Sequence, residues 1–305
     1  MPEIEPATDC RFADNLWHGR VAIEENVAIA RDTYRVRFPC PEIARSIVPG
    51  QFVMLRFAGD ELPLLGRPLA LYDTVVSTSD NAVGGEAVGI DIVYLVVGKL
   101  TGKLAAAKAG TPLEVWGPLG NGFAPVTASH LVMVAGGIGQ TPFLALAREH
   151  LCGRRYGQPS RPAAPCQRVT LLYGARSADL LAGVEDFQRL GVDVRTSTDD
   201  GTAGHHGFVT ELLARLIEEV AESAAPNNSS AIHIACCGPE PMMAAVAEIA
   251  LRHGIPCQVS LETPMACGLG ICFSCVARIR QADGAWDYRR TCVEGPVFRA
   301  EQVVF

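Results

Sequence analysis

The chain has 305 residues, of which 49% are apolar and 19% are charged. This composition is typical of a folded globular protein and excludes a disordered or fibrous chain. At roughly 100–200 residues per domain, the length accommodates two domains or three small ones. The net charge is −7, from 26 basic and 33 acidic residues, and no run of Lys or Arg is dense. We therefore expect no nucleic-acid partner.

Targeting signals are weak throughout the sequence. The most apolar stretch, residues 131–147, is interrupted by three glycines and a proline, so it predicts no membrane-spanning helix. The first residues, MPEIEPATDCRF, are acidic where a secretory signal peptide has a basic start. Four of the 11 cysteines crowd into residues 267–292, which in an intracellular protein indicates metal binding more often than disulfides. These features predict a cytoplasmic protein without membrane contact.

Residues 18–124, which follow a short N-terminal extension (1–17), consist of Val-rich apolar runs separated by turn residues. The runs cover 20–30, 34–38, 51–57, 68–74, 89–97 and 112–116. Short runs at this spacing predict an antiparallel barrel or sandwich. One short helix is predicted over 100–108, because Gly110 follows it as a terminator.

From His130 onward, apolar runs alternate with helical stretches, which predicts a parallel sheet with helices on its faces. The predicted strands are 131–135, 169–173, 192–197 and 232–236. The predicted helices are 141–151, 183–190, 209–221 and 239–253. Segments 154–167 and 222–230 are rich in Pro, Ser, Asn and small residues, so we expect surface insertions there.

The C-terminal region holds the most specific motif, a group of four cysteines: Cys267, Cys272, Cys275 and Cys292. Their spacing is that of plant-type ferredoxins, in which four thiolates hold a 2Fe-2S cluster. Gly268 and Gly270 lie inside the loop, where a missing Cβ lets backbone N–H groups approach the sulfides. The alternative is a structural zinc site, which usually shows two C-x2-C pairs, whereas only one is present. The spacing therefore favours a 2Fe-2S cluster over a zinc ion.

Two strand–helix junctions predict a nucleotide site. The first, in the stretch AGGIGQTP, carries Gly136, Gly137, Gly139 and Thr141. The second carries Cys237, Gly238 and Pro239. Glycines at such a junction let a diphosphate approach a helix N-terminus, although the first stretch alone fits a plain turn equally well. Because ligands of open α/β sheets bind beyond the carboxyl ends of the strands, the two junctions together favour nucleotide binding.

One strand of the N-terminal half is a candidate flavin contact. It contains Arg67, Pro68, Leu69, Ala70, Leu71 and Tyr72. An Arg guanidinium can bind a phosphate through two hydrogen bonds, and a Tyr ring can stack on a flat heterocycle. Taken alone, the stretch is better explained as an ordinary strand with one exposed Arg, so its interpretation depends on the accompanying motifs.

In this order the motifs resemble the ferredoxin-reductase superfamily, and within it the electron-transfer subunits of NAD-linked dihydroorotate dehydrogenase of type B. The matching stretches are RPLALY (67–72), GPLGNGF (117–123), AGGIGQTP (135–142), YGAR (173–176), TDDGTAGHHGFV (198–209), CGPEPMM (237–243), MACGLGICFSCV (265–276) and CVEGPVF (292–298). They are distributed over most of the chain from about residue 18 onward. The last three, in this order, are fairly specific for these subunits and their closest relatives.

The resemblance implies a multi-domain fold with three cofactor-binding parts. These are an antiparallel β-barrel FAD domain (18–124), an α/β parallel-sheet NAD(P)-binding domain (125–259) and a small C-terminal 2Fe-2S domain (260–305). By the resemblance, Arg67 binds the FAD diphosphate, while Leu69, Ala70 and Leu71 border the isoalloxazine ring. The two junctions would line the nicotinamide-nucleotide site, and the four cysteines would ligate iron.

Two positions depart from the family pattern. Relatives often carry Ser or Thr at the place of Ala70, where a hydroxyl approaches flavin N5, and Ala70 cannot supply one. A second flavin-phosphate stretch, commonly Gly-Thr, is here Lys-Leu-Thr-Gly (99–102), in which Thr101 is the surviving match and Leu100 is the departure. These departures motivate one alternative, a flavin-free, zinc-stabilised interaction protein on an old reductase fold.

The implied function is electron transfer in pyrimidine biosynthesis, from a partner's FMN through 2Fe-2S and FAD to NAD+. That partner would be a dihydroorotate dehydrogenase TIM barrel of roughly 250 residues, for which this chain has no room. The resemblance implies a heterotetramer of two plus two subunits, and no acid–base residue of this chain is needed for the transfer. A second alternative is the NAD(P)H-oxidising FAD/2Fe-2S subunit of a ferredoxin, sulfide or hydrogenase complex.

Several polar residues have simpler interpretations. Asp199 and Asp200 are expected to form a turn, although nucleotide contact is an alternative. Arg176 is a candidate contact for an adenosine 2′-phosphate or else a solvent-exposed side chain. His205 and His206 are expected in a solvated loop. The sequence leaves the choice between NAD and NADP open.

Overall fold

The structure is a computed structural model that describes residues 16–59, 62–77, 85–223 and 232–305. Residues 1–15 of the predicted N-terminal extension (1–17) and residues 224–230 of the predicted insertion 222–230 lie outside the described residues. Among the helices of the described ranges, none has the length and apolar character needed to cross a membrane.

The N-terminal half is a curled antiparallel sheet of seven strands. They are β1 (Trp17–Ala22), β2 (Glu25–Ala30), β3 (Thr33–Pro39), β4 (Phe52–Phe57), β5 (Arg67–Val76), β6 (Ala87–Leu95) and β7 (Pro112–Leu119). Their order is β1-β7-β4-β5-β6-β3-β2, with antiparallel pairing at every step. β1 and β3 also contact each other, so the sheet curls towards closure, and the predicted barrel is confirmed.

Two details of this half differ from the sequence prediction. The run predicted over 20–30 is two strands, because Ile23 turns its side chain into the barrel core and its N–H bonds to Thr111 O at 3.0 Å. A short helix, α1 (Pro41–Ser46), was not predicted; Pro41 occupies its first turn and Ile43 is fully buried. The predicted helix at 100–108 is α2 (Lys99–Ala105).

The barrel core holds α2 in place beside the strands. Asn26 on β2 donates from Nδ2 to Leu104 O at 2.8 Å and Ala107 O at 3.1 Å, which are carbonyls at the end of α2. Tyr94 on β6 donates from its hydroxyl to Asn26 Oδ1 at 3.0 Å. Because Leu100 and Leu104 are buried in the core, the start of α2 is fixed at one end of the barrel.

The second half is a parallel sheet with helices on its faces, as predicted. Its strands are β8 (His130–Gly136), β9 (Arg168–Ala175), β10 (Asp193–Thr198), β11 (His205–His206), β12 (Ile232–Cys237) and β13 (Cys257–Ser260). Its helices are α3 (Phe143–Leu151), α4 (Val184–Arg189), α5 (Val209–Ser223) and α6 (Glu240–Arg252). β8 is central and every residue in it is buried, which is typical of a parallel strand covered on both faces. The two histidines expected in a loop form the short edge strand β11.

The C-terminal segment contains a hairpin and one strand of the parallel sheet's edge. The hairpin is β14 (Val276–Arg280) and β15 (Trp286–Arg290), and β16 (Val297–Arg299) pairs antiparallel with β13. The complete sheet order is β11-β10-β9-β8-β12-β13-β16. Asn121, just after β7, donates to Val297 O at 2.8 Å and accepts from Val297 N at 3.1 Å. The C-terminal segment therefore joins the sheet and contacts the barrel.

Segment 154–167, predicted as a surface insertion, is a strap that ties the barrel to α3. Arg154 donates to Thr74 O at 2.7 Å, and the buried Tyr156 hydroxyl donates to Asp73 Oδ1 at 2.8 Å, both on β5. Arg161 pairs with Glu149 of α3, with Nη2 and Oε2 at 2.5 Å. Most residues of the strap are exposed, and it is held to the protein by these contacts with β5 and α3.

Candidate cofactor sites

A cleft of about 2330 Å³ lies between the barrel, the carboxyl edge of the parallel sheet and the C-terminal segment. Small-molecule pockets are roughly 300–1,000 Å³, so this cleft has room for more than one ligand. Twelve of the 14 predicted cofactor-binding residues line it: Arg67, Pro68, Leu69, Ala70, Thr101, Gly136, Gly137, Gly139, Thr141, Cys237, Gly238 and Pro239.

Leu71 and Tyr72 are the two predicted residues that do not line the cleft. β5 leaves the cleft after Ala70 and enters the core, where Leu71 packs inside the barrel. Tyr72 is 1% exposed, and its hydroxyl donates to Asp186 Oδ2 on α4 at 2.8 Å. Burial raises the pKa of this phenol, and the Asp186 carboxylate raises it further. The expectation that the Tyr72 ring stacks on a flat heterocycle does not fit this placement.

The barrel side of the cleft carries free positive charge. Arg67 donates from Nη1 to the carbonyls of Leu65 at 3.2 Å and Gly66 at 3.0 Å, and no carboxylate among the described residues pairs with its guanidinium. Lys99 lines the same cleft and likewise has no described carboxylate partner. Two unneutralised cations beside the apolar side chains of Leu69 and Ala70 fit the diphosphate and the flat ring of FAD.

Thr101 shapes the loop on this side of the cleft. Its hydroxyl oxygen accepts hydrogen bonds from Val97 N at 3.0 Å and Gly98 N at 3.1 Å, and the residue is buried. The hydroxyl is thereby occupied by the chain's own backbone. Thr101 holds the turn that precedes α2, and the predicted phosphate contact stays a prediction.

The two strand–helix junctions pack directly on each other. A Cβ at Gly139 would lie 2.2 Å from Cys237 O, and one at Gly136 would lie 2.6 Å from Met242 Sδ. Gly137 has φ +54° and open space beside it, on the cleft. The chain continues from β8 to β9 on one side, while β12 lies on the other, so a crevice opens between β8 and β12. This side-chain-free cradle fits a dinucleotide diphosphate.

Cys237 brings a thiol to the same cradle. Burial raises the pKa of this thiol to about 12, and the nearby Glu262 carboxylate acts in the same direction. The thiol therefore stays protonated and uncharged at neutral pH. An uncharged group at this position is compatible with a nicotinamide ring that changes charge when it is reduced.

The four C-terminal cysteines form two close pairs. Cys267 Sγ and Cys272 Sγ are 3.3 Å apart, and Cys275 Sγ and Cys292 Sγ are 3.2 Å apart. Two thiolates for each of two irons is the donor set of a 2Fe-2S cluster, whereas zinc takes its four ligands around one ion. Leu269 N donates to Cys267 Sγ at 3.2 Å, as expected for an amide that stabilises thiolate charge.

The cysteine loop packs against the barrel. Trp116 on β7 donates from Nε1 to Cys267 O at 3.0 Å. Gly268 has φ +71°, and a Cβ there would lie 2.6 Å from Cγ of Met54 on β4. The loop therefore approaches the barrel only because this position lacks a side chain.

The two cysteine pairs differ in exposure. Cys275 and Cys292 are buried, whereas Cys272 is exposed. Hydrogen bonds from Ser274 lower the pKa of the Cys272 thiol to about 6, which favours the thiolate that iron requires. Ile271 and Phe273 flank Cys272 and are 77% and 62% exposed. One pair thus faces the protein interior, and the other reaches the surface at Cys272, between two exposed apolar side chains.

Sequence reasoning missed several residues that line the cleft. Phe208 lies at the start of α5, and Val303, Val304 and Phe305 approach from the C-terminal end. Asp199, expected in a turn with nucleotide contact as the alternative, also lines the cleft. A Phe at the residue before a helix, where Ser, Thr, Asp or Asn is usual, is a signal that could have indicated Phe208.

Comparisons with known proteins agree with this geometry. Residues 262–304 match the iron-sulfur cluster binding domain of dihydroorotate dehydrogenase B, and residues 133–248 match an oxidoreductase NAD-binding domain. The dihydroorotate dehydrogenase B (NAD(+)) electron transfer subunit of Caldanaerobacter subterraneus subsp. tengcongensis is 32% identical over 95% of this chain and 99% of that protein. The chain belongs to this family of electron transfer subunits. The Desulforamulus reducens member is 34% identical over 91% of this chain and 94% of its own.

A solved relative of the family's fold is an NADH-dependent reduced ferredoxin-NADP oxidoreductase. It is 28% identical, with a TM-score of 0.70, and the match covers 93% of this chain and 89% of that one. The ferredoxin reductase of carbazole 1,9a-dioxygenase shares the fold at 19% identity and a TM-score of 0.59. The iron–sulfur family match also shows that the zinc alternative is wrong for the cysteine motif.

Proposed function

We propose that this chain transfers electrons between NAD(H) and a separate FMN-containing dihydroorotate dehydrogenase subunit in pyrimidine biosynthesis. Its cofactors are FAD, a 2Fe-2S cluster and NAD. The observation that carries the proposal is convergence on one cleft. Ala70 of the barrel, Gly137 of the nucleotide cradle and Ala266, next to Cys267, all line the same space.

The chain's own residues bind and position the reactants. Arg67 and Lys99 neutralise phosphate charge, the glycines of the cradle hold the dinucleotide against the barrel, and the neutral Cys237 thiol adds no charge there. Leu69 and Ala70 form an apolar wall that limits water. When bound, FAD exchanges electrons in pairs and the cluster exchanges them singly. No proton-transfer residue is required for this exchange.

Dihydroorotate oxidation requires a partner subunit. The described residues form an antiparallel barrel, a seven-stranded sheet and a C-terminal hairpin, and the eight parallel strands of a TIM barrel are not among them. The partner is the FMN-containing catalytic subunit, in a heterotetramer of two copies of each chain. None of the ten described cysteines forms a disulfide, which supports a reducing, cytoplasmic location.

Reconstitution of the full chain with FAD, iron and sulfide tests this function. With a catalytic dihydroorotate dehydrogenase subunit, the holoprotein is expected to produce NADH from dihydroorotate and NAD+. Cys292→Ser is expected to abolish that coupled reaction while NADH oxidation by ferricyanide, which needs only the flavin, continues. If the intact holoprotein never accelerates NADH formation with the partner, the proposal is wrong; reduction of ferredoxin instead would favour the alternative complex.

A further inference from the structure

The C-terminal hairpin places one arginine against the cysteine loop, residues 267–275. In the ladder, Arg290 of β15 pairs with Val276 of β14, which is the residue directly after the loop. Arg290 also precedes Cys292 by two residues. The strand that leads to the fourth cysteine therefore brings a guanidinium beside the candidate cluster site.

Arg290 contacts the cysteine loop on both sides of Cys272. Its Nη1 donates to Gly270 O at 3.0 Å, and its guanidinium carbon lies 5.1 Å from the centroid of the Phe273 ring. Both contacted residues have left-handed backbone, with φ of +75° at Gly270 and +56° at Phe273. A planar guanidinium suits this pair of contacts, because it can stack on a ring while its N–H groups donate in the plane. Arg290 thus holds the loop in the conformation that presents Cys272.

Gly270 connects this contact to a second cysteine. Burial raises the pKa of the Cys292 thiol to about 12, and a hydrogen bond from the Gly270 N–H acts against that rise. A Cβ at Gly270 would lie 2.6 Å from Cγ2 of Val293 and 3.4 Å from Arg290 Nη1, so the loop is closely packed here. The Gly270 carbonyl accepts from Arg290 while its N–H approaches the Cys292 sulfur. One residue therefore separates the guanidinium from a sulfur ligand.

The positive charge of Arg290 is only partly neutralised. Glu294 accepts from Arg290 Nε at 3.3 Å and from the Arg290 backbone N–H at 2.7 Å. The other Glu294 oxygen lies 3.5 Å from Nη1 of Arg289, which also has Asp287 at 3.9 Å. Among the described residues, Arg290 has no carboxylate partner besides this shared one. It donates to Glu294 and to the cysteine loop through different nitrogens, so the ion pair and the loop contact coexist.

We propose that Arg290 is a positioning residue that orders the cysteine loop and, by its positive charge, raises the reduction potential of the 2Fe-2S cluster. Such a cluster gains one negative charge when it accepts an electron, and a nearby positive charge stabilises the reduced form. Arg290 therefore favours acceptance of an electron from outside the chain. The inference rests on the proposed function only in taking a 2Fe-2S cluster as the group that the four cysteines hold.

A redox titration of the FAD- and iron-loaded full chain, followed by electron paramagnetic resonance of the reduced cluster, tests this inference. At a fixed potential, Arg290→Met is expected to lower the ratio of reduced to oxidised cluster about tenfold. That change is a fall of about 59 mV in the midpoint potential for one electron. Arg290→Lys keeps the charge but loses the planar stacking on Phe273, and is expected to shift the midpoint less than half as far.

Arg280→Met is the matched control, because it removes the same charge from the far end of the hairpin. Arg280 is exposed and lies four residues beyond Val276 on β14, which is about 13 Å along a strand. Its charge is screened by solvent, so the cluster midpoint is expected to change little. The FAD midpoint potentials, measured in the same titration, should be unchanged in all variants.

Glu294→Gln is expected to shift the cluster midpoint in the opposite direction. Its amide oxygen can still accept from the Arg290 backbone N–H, but the neutralising charge is lost, so the midpoint should rise. This variant decides the question if Arg290→Met assembles no cluster. A midpoint that does not rise in Glu294→Gln, or equal falls in Arg290→Met and Arg280→Met, would overturn the inference. So would an Arg290→Lys midpoint as low as that of Arg290→Met.

These measurements use no partner subunit, which keeps them separate from the test of the proposed function. Midpoint shifts of the expected signs in a protein that never couples to dihydroorotate would count against the proposed function alone. Normal coupling with an unshifted Arg290→Met midpoint would count against the role of Arg290 alone.

Discussion

Gly139 is the residue on which the nucleotide cradle most depends. Any side chain there would place a Cβ 2.2 Å from Cys237 O, a backbone atom that cannot move without separating β8 from β12. We therefore expect Gly139→Ala to raise the KM for NADH more than tenfold, because the diphosphate cradle opens. Ferricyanide assays with NADH measure this effect, and the flavin absorbance should remain.

Gly102 supplies the matched control for that substitution. It lies within α2 with nothing within 4 Å of an added Cβ, and its backbone has no positive φ. Gly102→Ala is expected to leave KM unchanged and to stabilise the helix slightly. Equal KM values for NADH in Gly139→Ala and Gly102→Ala would contradict the prediction that Gly139 forms part of the nucleotide site.

The six-residue stretch RPLALY (67–72) at the start of β5 shows what sequence could predict for single residues. The motif correctly indicated the strand, and Arg67 to Ala70 line the cleft. It could not show where the strand leaves the cleft, because that point depends on α4 reaching Tyr72 from 114 residues away. Phe208 was missed for a related reason, since only the assembled sheet edge brings it beside β9 and β10.

Titration of the buried His130 makes the free energy of unfolding depend on pH. Burial lowers the pKa of this imidazole to about 4, whereas an unfolded chain has a value near 6.5. As pH falls, the unfolded state binds the proton first, so this contribution is complete above about pH 6.5 and is lost towards pH 4. At pH 5 the free energy of unfolding is therefore about 2 kcal/mol lower than at neutral pH because of this histidine. Guanidinium unfolding near neutral pH and near pH 5 should show that loss in wild type and a smaller one in His130→Gln.

The outcome that would contradict this prediction is an equal pH dependence of the two proteins. His130→Gln retains a side chain able to reach Thr170 Oγ1, which lies 2.8 Å from the histidine Nε2. A difference between the proteins therefore reports titration of the imidazole. Other acid-sensitive groups act equally in both proteins.

At the scale of elements, the strap formed by residues 154–167 carries a buried ion pair. Arg161 binds both oxygens of Glu149 on α3 and donates to Phe123 O of the barrel half. Glu149 is almost fully buried, so Arg161→Met leaves its charge uncompensated. We expect a loss of about 3–5 kcal/mol in the free energy of unfolding, measured by denaturant titration.

Two further variants make that measurement specific. Adding Glu149→Gln to Arg161→Met removes the stranded charge and should recover most of the loss. Arg155→Met changes an exposed Arg of the same strap and should be nearly neutral. No recovery in the double variant would show that packing of the strap, rather than the charge, dominates.

The sequence predicted elements well where periodicity was strong and poorly where other forces act. The central strands β8 and β9 and the helix α5 were predicted because burial on both faces, or on one helical face, leaves a clear pattern. The hairpin β14–β15 and the edge strand β16 left no such pattern, since their segment is short and rich in Cys and Gly. Their positions follow from contacts with the barrel and β13, which are distant in sequence.

For the molecule as a whole, the candidate cluster site reaches from the exposed surface at Cys272 to the cleft, which is lined by Ala266 next to Cys267. The cradle and Arg67 share an open cleft, the Cys275–Cys292 pair is buried beside the barrel, and Cys272 lies at the surface. Under the proposed function, electrons would enter the cluster at its exposed side and pass inward towards the cleft. The apolar surface at Ile271 and Phe273 is where a partner's electron carrier could come closest to the cluster.

Phe273 marks this surface by its backbone as well as by its exposure. Its φ is +56°, a left-handed conformation unusual for a bulky residue, and Arg290 lies over its ring at 5.1 Å. The loop thus holds an apolar ring outward at a conformational cost. Asp adopts the left-handed conformation more readily than Phe, so Phe273→Asp tests the surface without adding backbone strain.

We expect Phe273→Asp to lower dihydroorotate-dependent NADH formation about tenfold at limiting partner concentration. The substitution would place a charge where the proposed interface with the partner buries an apolar ring. Ferricyanide reduction by NADH and the visible spectrum of the cluster should stay at wild-type values, since the flavin site and the four cysteines are untouched. Leu251→Asp, an equally exposed apolar position on α6, is the matched control and should couple normally. Equal losses in the two variants, or full coupling in Phe273→Asp, would place the partner on another face of the molecule.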